Sequence, residues 1–285
     1  MAKVFTSGGV AIITGGASGI GLALAKKCHG YGMRVLIADK NETSLESARN
    51  ALNGDIAVFK MDVGRLEDWS ELKASVDRDF AGRVNLLALN AGMGVRGASW
   101  DNTAAFQSTL QTNFMGIVNG ISTLLPLVKQ SAAAGDYASI VITGSKQGIT
   151  NPPGNPAYNA SKAAVKAVAE HLSWDLRAEE RISVHLLIPG WTFTGMTNRA
   201  GPDAPKPDGA WWPEQVVDYL EEKMKEGQFW VLCPDNEVTE SLDRRRILWT
   251  AGDIVKGRPP LSRWREDWKA RAQEGIDGMG DPAQK

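Results

Sequence analysis

Tyr158 and Lys162 lie four positions apart in the run Tyr158-Asn-Ala-Ser-Lys162, inside a helical pattern, so their side chains share one helix face. A phenol ordinarily loses its proton near ~10, and an adjacent ammonium favours the phenolate, drawing the hydroxyl toward a range in which it can pass a proton. A solvated surface helix carries such a pair by chance, so the pair gains meaning only from what accompanies it.

A second run, Thr14-Gly-Gly-Ala-Ser-Gly-Ile-Gly21, joins an apolar strand to a helix. Gly15, Gly19 and Gly21 there let backbone N–H groups, those of Ser18 and Ile20 among them, approach a pyrophosphate, and the positive end of the helix dipole favours its charge. The next strand ends at Asp39, eighteen residues beyond Gly21, where a carboxylate accepts hydrogen bonds from adenosine ribose hydroxyls and repels a 2′-phosphate. NAD is therefore expected over NADP, with Lys40 next door softening the preference. The bland alternatives are a tight turn and a strand-end cap.

Strands and helices must bring these residues together. Apolar, β-rich runs at Val10 to Thr14, Met33 to Ala38, Ile56 to Met61, Asn85 to Leu89, Ser139 to Thr143, Ile182 to Ile188 and Phe229 to Leu232 predict about seven buried strands. Helical stretches at Ile20 to His29, Glu42 to Leu52, Leu66 to Phe80, Phe106 to Val128 and Ala157 to Glu179 separate most of them. This alternation predicts an α/β fold, a Rossmann-type doubly wound parallel sheet flanked by helices, in one domain spanning 1–285. From Gly195 to Pro213 the rhythm breaks, and Pro202, Pro205, Pro207 and Pro213 predict an irregular, lid-like surface insertion at 195–213. Residues 236–285 are expected to form a C-terminal helical extension, with helices near Glu237 to Ala251 and Ser262 to Glu274 and a frayed end from Gly275.

Ordered along this frame, the motifs resemble the short-chain dehydrogenase/reductase family over roughly Val10 to Thr197. Beyond the glycine turn and the Tyr158/Lys162 pair, Asp62-Val63 follows the third strand, where the family contacts adenine. Asn90-Ala91-Gly92 follows the fourth, and Asn113 stands at the family's catalytic asparagine. Ser145 precedes Tyr158 by thirteen residues, at the family's serine position. Pro189-Gly190, with Thr192 and Thr194, resembles the segment that holds the nicotinamide carboxamide. The resemblance implies alcohol/carbonyl interconversion by hydride transfer, with Tyr158 as acid/base. Ser145 would hydrogen-bond the substrate oxygen, Lys162 would lower the Tyr158 pKa and hold the nicotinamide ribose, and Asn113 would link Lys162 to solvent through an ordered water. Taken singly, Asn113 has a bland role as a helix cap or kink, and Ser145 as a loop hydroxyl. No metal is required, and His29, His171 and His185 have no ligand spacing and read as structural.

The chain departs from the family after the last strand, where Cys233-Pro-Asp-Asn-Glu237 and about fifty further residues follow. That tail is expected to fold over the substrate cleft or to reach a neighbouring subunit, with a homodimer or homotetramer as the assembly. Seven of the ten tryptophans, at 191, 211, 212, 230, 249, 264 and 268, follow the sixth strand. Either they pack the tail onto the core, or with Met93, Ile149, Pro152, Pro153 and Met196 they line a pocket for a bulky hydrophobic or aromatic secondary alcohol or ketone. Arg244-Arg-Arg246 reads as a solvated helix face.

Of the 285 residues 43% are hydrophobic and 23% charged, enough for one large core, and the net charge of -1 gives no footprint for nucleic acid or an anionic membrane. The apolar runs are too short for a bilayer and no leader pattern opens the sequence, so a cytoplasmic protein with a small-molecule substrate is expected. Cys28 and Cys233 lack metal or redox spacing. Three alternatives accompany this reading: a non-catalytic cofactor-sensing scaffold, which usually loses the Tyr/Lys pair; an NADPH-dependent ketoreductase; and a sugar-nucleotide epimerase or dehydratase, which the glycine spacing and modest length disfavour.

Overall fold

The computed structural model describes residues 4–95, 100–198 and 204–283. Seven parallel strands form one sheet, β1 (Val10–Thr14), β2 (Arg34–Asp39), β3 (Ala57–Lys60), β4 (Leu86–Leu89), β5 (Ala138–Thr143), β6 (Ile182–Ile188) and β7 (Trp230–Leu232), in the order β3-β2-β1-β4-β5-β6-β7. The order reverses direction beside β1, which is where a doubly wound sheet opens a crevice at the strand ends.

Strand side chains alternate between two cores, as a period of two dictates. Ile12, Leu87, Ile140 and Leu186 face one side, where they meet Trp69 and Leu72 of α3 (Leu66–Phe80), Leu124 and Val128 of α5 (Gly116–Ala133), and Val165 and Ala169 of α7 (Pro156–Asp175). Ile13, Leu86, Val141 and Leu187 face the other, against Leu24 of α1 (Gly19–Gly30), Leu45 of α2 (Glu42–Ala51), and Val217 and Leu220 of α8 (Pro213–Lys225). Both free thiols, Cys28 and Cys233, are buried. His185 is pinned in β6, its ring nitrogens bonded to the Gln228 carbonyl at 2.6 Å and the Ser183 hydroxyl at 2.8 Å, a structural role.

One long predicted helix is three segments. The stretch from Phe106 to Val128 is α4 (Thr103–Leu110), a π-helical turn at Gln111–Met115, and α5. The π turn accommodates an extra inward residue, and that residue is Asn113, 0% exposed. Gly116 ends the turn where a Cβ would come 2.7 Å from the Val63 side chain.

Fraying was expected from Gly275, and the last helix extends past it to Asp277. A short helix, α6 (Gln147–Thr150), and α9 (Glu240–Val255) pack together, and α10 (Lys269–Asp277) runs back along α9. Trp249, Ala272 and Ile276 form a small core of their own. Gly275 makes this possible, since a Cβ there would lie 2.1 Å from the Trp249 ring. The tail's polar centre is also satisfied internally, with Trp249 Nε1 donating to Ser262 Oγ at 2.8 Å and Ser262 Oγ to Asp253 Oδ1 at 2.6 Å.

Backbone packing leaves no room for side chains at Gly120, where a Cβ would stand 2.5 Å from Leu89 and 2.6 Å from Trp69. Gly120→Ala is therefore expected to destabilise the fold by about 1–3 kcal/mol, read as a lower urea midpoint with an unchanged m-value. A midpoint equal to the parent's would contradict this packing.

Candidate active site

The carboxyl ends of β1 to β6 open into one cleft of about 1040 Å³. Gly15, Ser18, Gly19, Ile20, Asp39, Asp62, Val63, Asn90, Ala91, Gly92, Ser145, Tyr158, Lys162, Pro189, Gly190, Thr192 and Thr194 all line it. Gly21 and Asn113, also predicted for the site, stand behind its wall.

The glycine turn is held by backbone contact. Gly15 has φ +62°, and a Cβ there would approach Ala91 Cα to 2.8 Å. At Gly21 a Cβ would lie 2.2 Å from the Gly15 carbonyl, so α1 starts directly against the turn. Ser18, its N-cap, makes no side-chain cap, and the first turn has no acidic residue. The first N–H groups of α1 thus face the cleft unclaimed by side chains, which suits an anionic ligand.

Asn90 braces this turn instead of pointing at a ligand. Its Nδ2 donates to the Thr14 and Gly15 carbonyls at 3.2 and 3.3 Å, and its Oδ1 accepts from Thr143 Oγ1 at 3.0 Å. Asp39 accepts from the Asn41 amide at 3.1 Å and from the Ala17 amide at 3.4 Å, with Lys40 beside it in the cleft wall. Asp62 Oδ1 accepts from the Gly64 amide at 2.8 Å.

At the other end α7 carries Tyr158 and Lys162 as the spacing predicts. Asn155 caps its N-terminus, accepting from Tyr158 N at 3.3 Å, and Pro156 fills the first position. Gly148 lets α6 press onto α7 so closely that a Cβ would sit 2.5 Å from the Lys162 backbone carbon. Lys162, 3% exposed, donates from Nζ to the Thr143 carbonyl at 2.8 Å and lies 5.8 Å from the centre of the Tyr158 ring. Asn113 Nδ2 donates to the Met93 carbonyl at 2.9 Å and to Ser161 Oγ at 3.0 Å, and its Oδ1 accepts from Met93 N at 2.7 Å. Only the missing side chain of Gly92 separates Asn113 from Lys162: a Cβ there would lie 3.5 Å from one and 3.6 Å from the other.

Burial pushes the Tyr158 phenol above its usual value, opposed by a hydrogen bond with Ser145, and burial pulls Lys162 down to about 8. Desolvation disfavours the charged form of each.

The segment after β6 folds over the glycine turn, placing Thr194 against Gly19. It is tied down by Trp211 N donating to the Trp191 carbonyl and Phe193 N to the Trp211 carbonyl, both at 2.8 Å. Within the lid-like span 195–213, residues 199–203 lie outside the described residues, while Ala204, Pro205 and Pro207 line the cleft.

Met93, Val95, Trp191, Phe193 and Met196 give the cleft an apolar wall. Trp212 stands behind it, edge-on to Phe193 at 5.5 Å, and Trp211 packs on Tyr219. Ile149 and Trp230 border a separate groove, and Trp249 and Trp268 belong to the tail's own core. Pro152 and Pro153 are not among the described lining residues, and none beyond Pro207 is. Among the described residues, none of the tail lines the cleft.

The sequence reading missed Lys146, Gln147, Asn155 and Phe193. Position just beyond a strand end was the available signal for the first two.

The model of the short chain dehydrogenase family matches residues 9–205. An oxidoreductase of Sarocladium schorii is 32% identical over 195 residues, covering 68% of this chain and 76% of that protein. The chain belongs to the short-chain dehydrogenase/reductase family. A short-chain dehydrogenase/reductase from Burkholderia phymatum, solved in complex with NAD, superposes with a TM-score of 0.77 at 28% identity, covering 89% of this chain and 96% of that one. The RhlG/NADP active-site complex of Pseudomonas aeruginosa superposes at 0.68 with 27% identity, covering 78% and 92%. Membership makes this short-chain dehydrogenase/reductase an NAD(P)-dependent oxidoreductase. Among the described residues no helix is long and apolar enough to cross a membrane.

Because the folded pKa of Lys162 lies near 8 and that of a free lysine at 10.5, its charge weakens the fold fully below pH 8. That penalty fades as pH rises from about 8 to 10.5, where the unfolded chain binds the proton and the folded one does not. Against a Lys162→Met variant, the wild type should gain stability across that window in paired urea titrations. A stability difference that does not move with pH would refute the burial of this ammonium.

Proposed function

We propose that this protein is an NAD(H)-dependent dehydrogenase/reductase that interconverts a secondary alcohol and its ketone, on a bulky hydrophobic or aromatic substrate. The observation that carries the proposal is the meeting of Ser145, Tyr158 and Lys162 beneath the apolar wall at one end of the cleft. The open start of α1 fits the dinucleotide, with Gly15, Ser18, Gly19 and Ile20 holding the pyrophosphate and Gly21 packing behind them. Asp39 would take the adenosine ribose, Asp62 and Val63 the adenine, and Asn90 to Gly92, Pro189, Gly190, Thr192 and Thr194 the nicotinamide half.

When bound, the nicotinamide supplies or accepts a hydride. Ser145 donates a hydrogen bond to the substrate oxygen and stabilises charge developing there. Tyr158 passes a proton to or from the same oxygen. A phenol kept protonated by burial is suited to giving that proton during ketone reduction. Lys162 would hold the nicotinamide ribose, and burial makes its ammonium easier to deprotonate than usual. Asn113 fixes Met93 and Ser161 around this passage and is the proposed link to solvent.

Asp39 favours NAD, and the Burkholderia phymatum relative was solved with NAD. A second reading, an NADPH-dependent ketoreductase, draws on Lys40 in the cleft wall and on the Pseudomonas aeruginosa relative complexed with NADP. The two buried free thiols suit the cytoplasm, and a homodimer or homotetramer is the proposed assembly.

Absorbance at 340 nm over hydrophobic alcohols and ketones, with both cofactors, tests the reading. Tyr158→Phe should abolish turnover while leaving the NADH dissociation constant nearly unchanged; full activity in that variant would sink the assignment. Oxidation should speed up as pH rises toward the alkaline range, since it needs the deprotonated phenol, and reduction should slow. Asp39→Ala should narrow the preference for NAD, and a wild type that already prefers NADPH would reverse the reading of that carboxylate.

A further inference from the structure

Three segments far apart in sequence, 145–146, 190–191 and 235–243, converge beside the Tyr158 end of the cleft. Lys146 follows Ser145 directly and carries its ammonium between two carboxylates, 3.5 Å from Asp235 and in contact with Asp243. Asp235 lies in the turn after β7, and Asp243 on α9 of the tail. The carboxylate side chains are 6% and 5% exposed, the lysine side chain 16%. Asp235 Oδ2 also accepts from the Trp191 amide at 3.0 Å, while its Oδ1 accepts from the Glu237 and Val238 amides at 3.1 and 2.8 Å. Gly190 is pressed against this cluster: a Cβ there would lie 2.7 Å from Asp235 Oδ2 and 2.9 Å from Lys146 Nζ.

One buried ion cluster therefore fixes both loops that border the reacting end, the loop after β5 with Ser145 and the loop after β6 with Gly190 and Trp191. Buried ion pairs add little net stability, yet breaking one partner leaves an uncompensated charge, so such clusters hold geometry strictly. We propose that Asp243 of the C-terminal extension is a positioning residue for the reaction, acting through Lys146 to set Ser145 and, with Asp235, to seat the Gly190-Trp191 backbone. The extension is thus part of the catalytic apparatus without touching substrate, and the inference rests on the role proposed above for Ser145.

Two measurements on the full chain test it. In hydrogen–deuterium exchange, Asp243→Asn should speed exchange in peptides covering 144–150 and 189–194, and Asp243→Glu, which keeps the charge, should restore protection. Exchange altered only within the tail would overturn the proposal whether or not a substrate has been found. In turnover, Asp243→Asn should lower kcat about ten- to a hundredfold; an unchanged kcat would overturn the proposal. In a Lys146→Met background the same substitution should add no further loss; additive losses would assign Asp243 a merely structural role. A wild type inert toward every alcohol and ketone would defeat the proposed reaction and leave the exchange result to decide the coupling.

Discussion

Lys162 is an ammonium taken out of water, and much of the architecture around the cleft accommodates it. Burying such a charge costs several kcal/mol before partners are counted, and here burial holds its pKa near 8. The site is built from close backbone approaches: Gly148 brings α6 against the Lys162 backbone, and Gly92 leaves space between its ammonium and Asn113. The β5 carbonyl of Thr143 accepts its proton, and the same residue's hydroxyl donates to Asn90, which braces the glycine turn. A single chain of hydrogen bonds thus links the helix of the Tyr158/Lys162 pair to the turn at the start of α1. Distortion at one end of the cleft would be transmitted to the other.

The frame was legible from the sequence because its signals are local. Continuous apolar runs marked all seven strands to within a residue or so at their ends, and the glycine turn announced itself by its place between strand and helix. Asp39 was found because it ends β2, and Tyr158 and Lys162 because four positions on a helix define a shared face. Order along the chain then located Ser145, Asp62 and the Pro189-Gly190 segment. Less legible was what each polar group does: Asn90 sits in the predicted place, but its amide is spent on holding backbone.

What escaped the sequence was long-range or conformational. A π turn has no local signature in Gln111–Met115; it turns Asn113 inward, where it bonds both to Met93 and to Ser161. The order of the last helix depends on Trp249 finding the bare backbone of Gly275, a contact that composition cannot show. Likewise, the tryptophans divided between both expectations. Trp191 lines the cleft, Trp212 backs its wall through Phe193, and Trp249 and Trp268 pack the tail.

Charge at the substrate end follows from the same tertiary contacts. The two lysines that line it are both committed: Lys162 to the Thr143 carbonyl, Lys146 to two carboxylates. Lys146, balanced this closely by buried carboxylates, projects little positive field into the cleft. The walls that face the same space are Met93, Val95, Trp191, Phe193 and Met196. Their area rewards burial of carbon, at roughly 25 cal/mol per Å² removed from water.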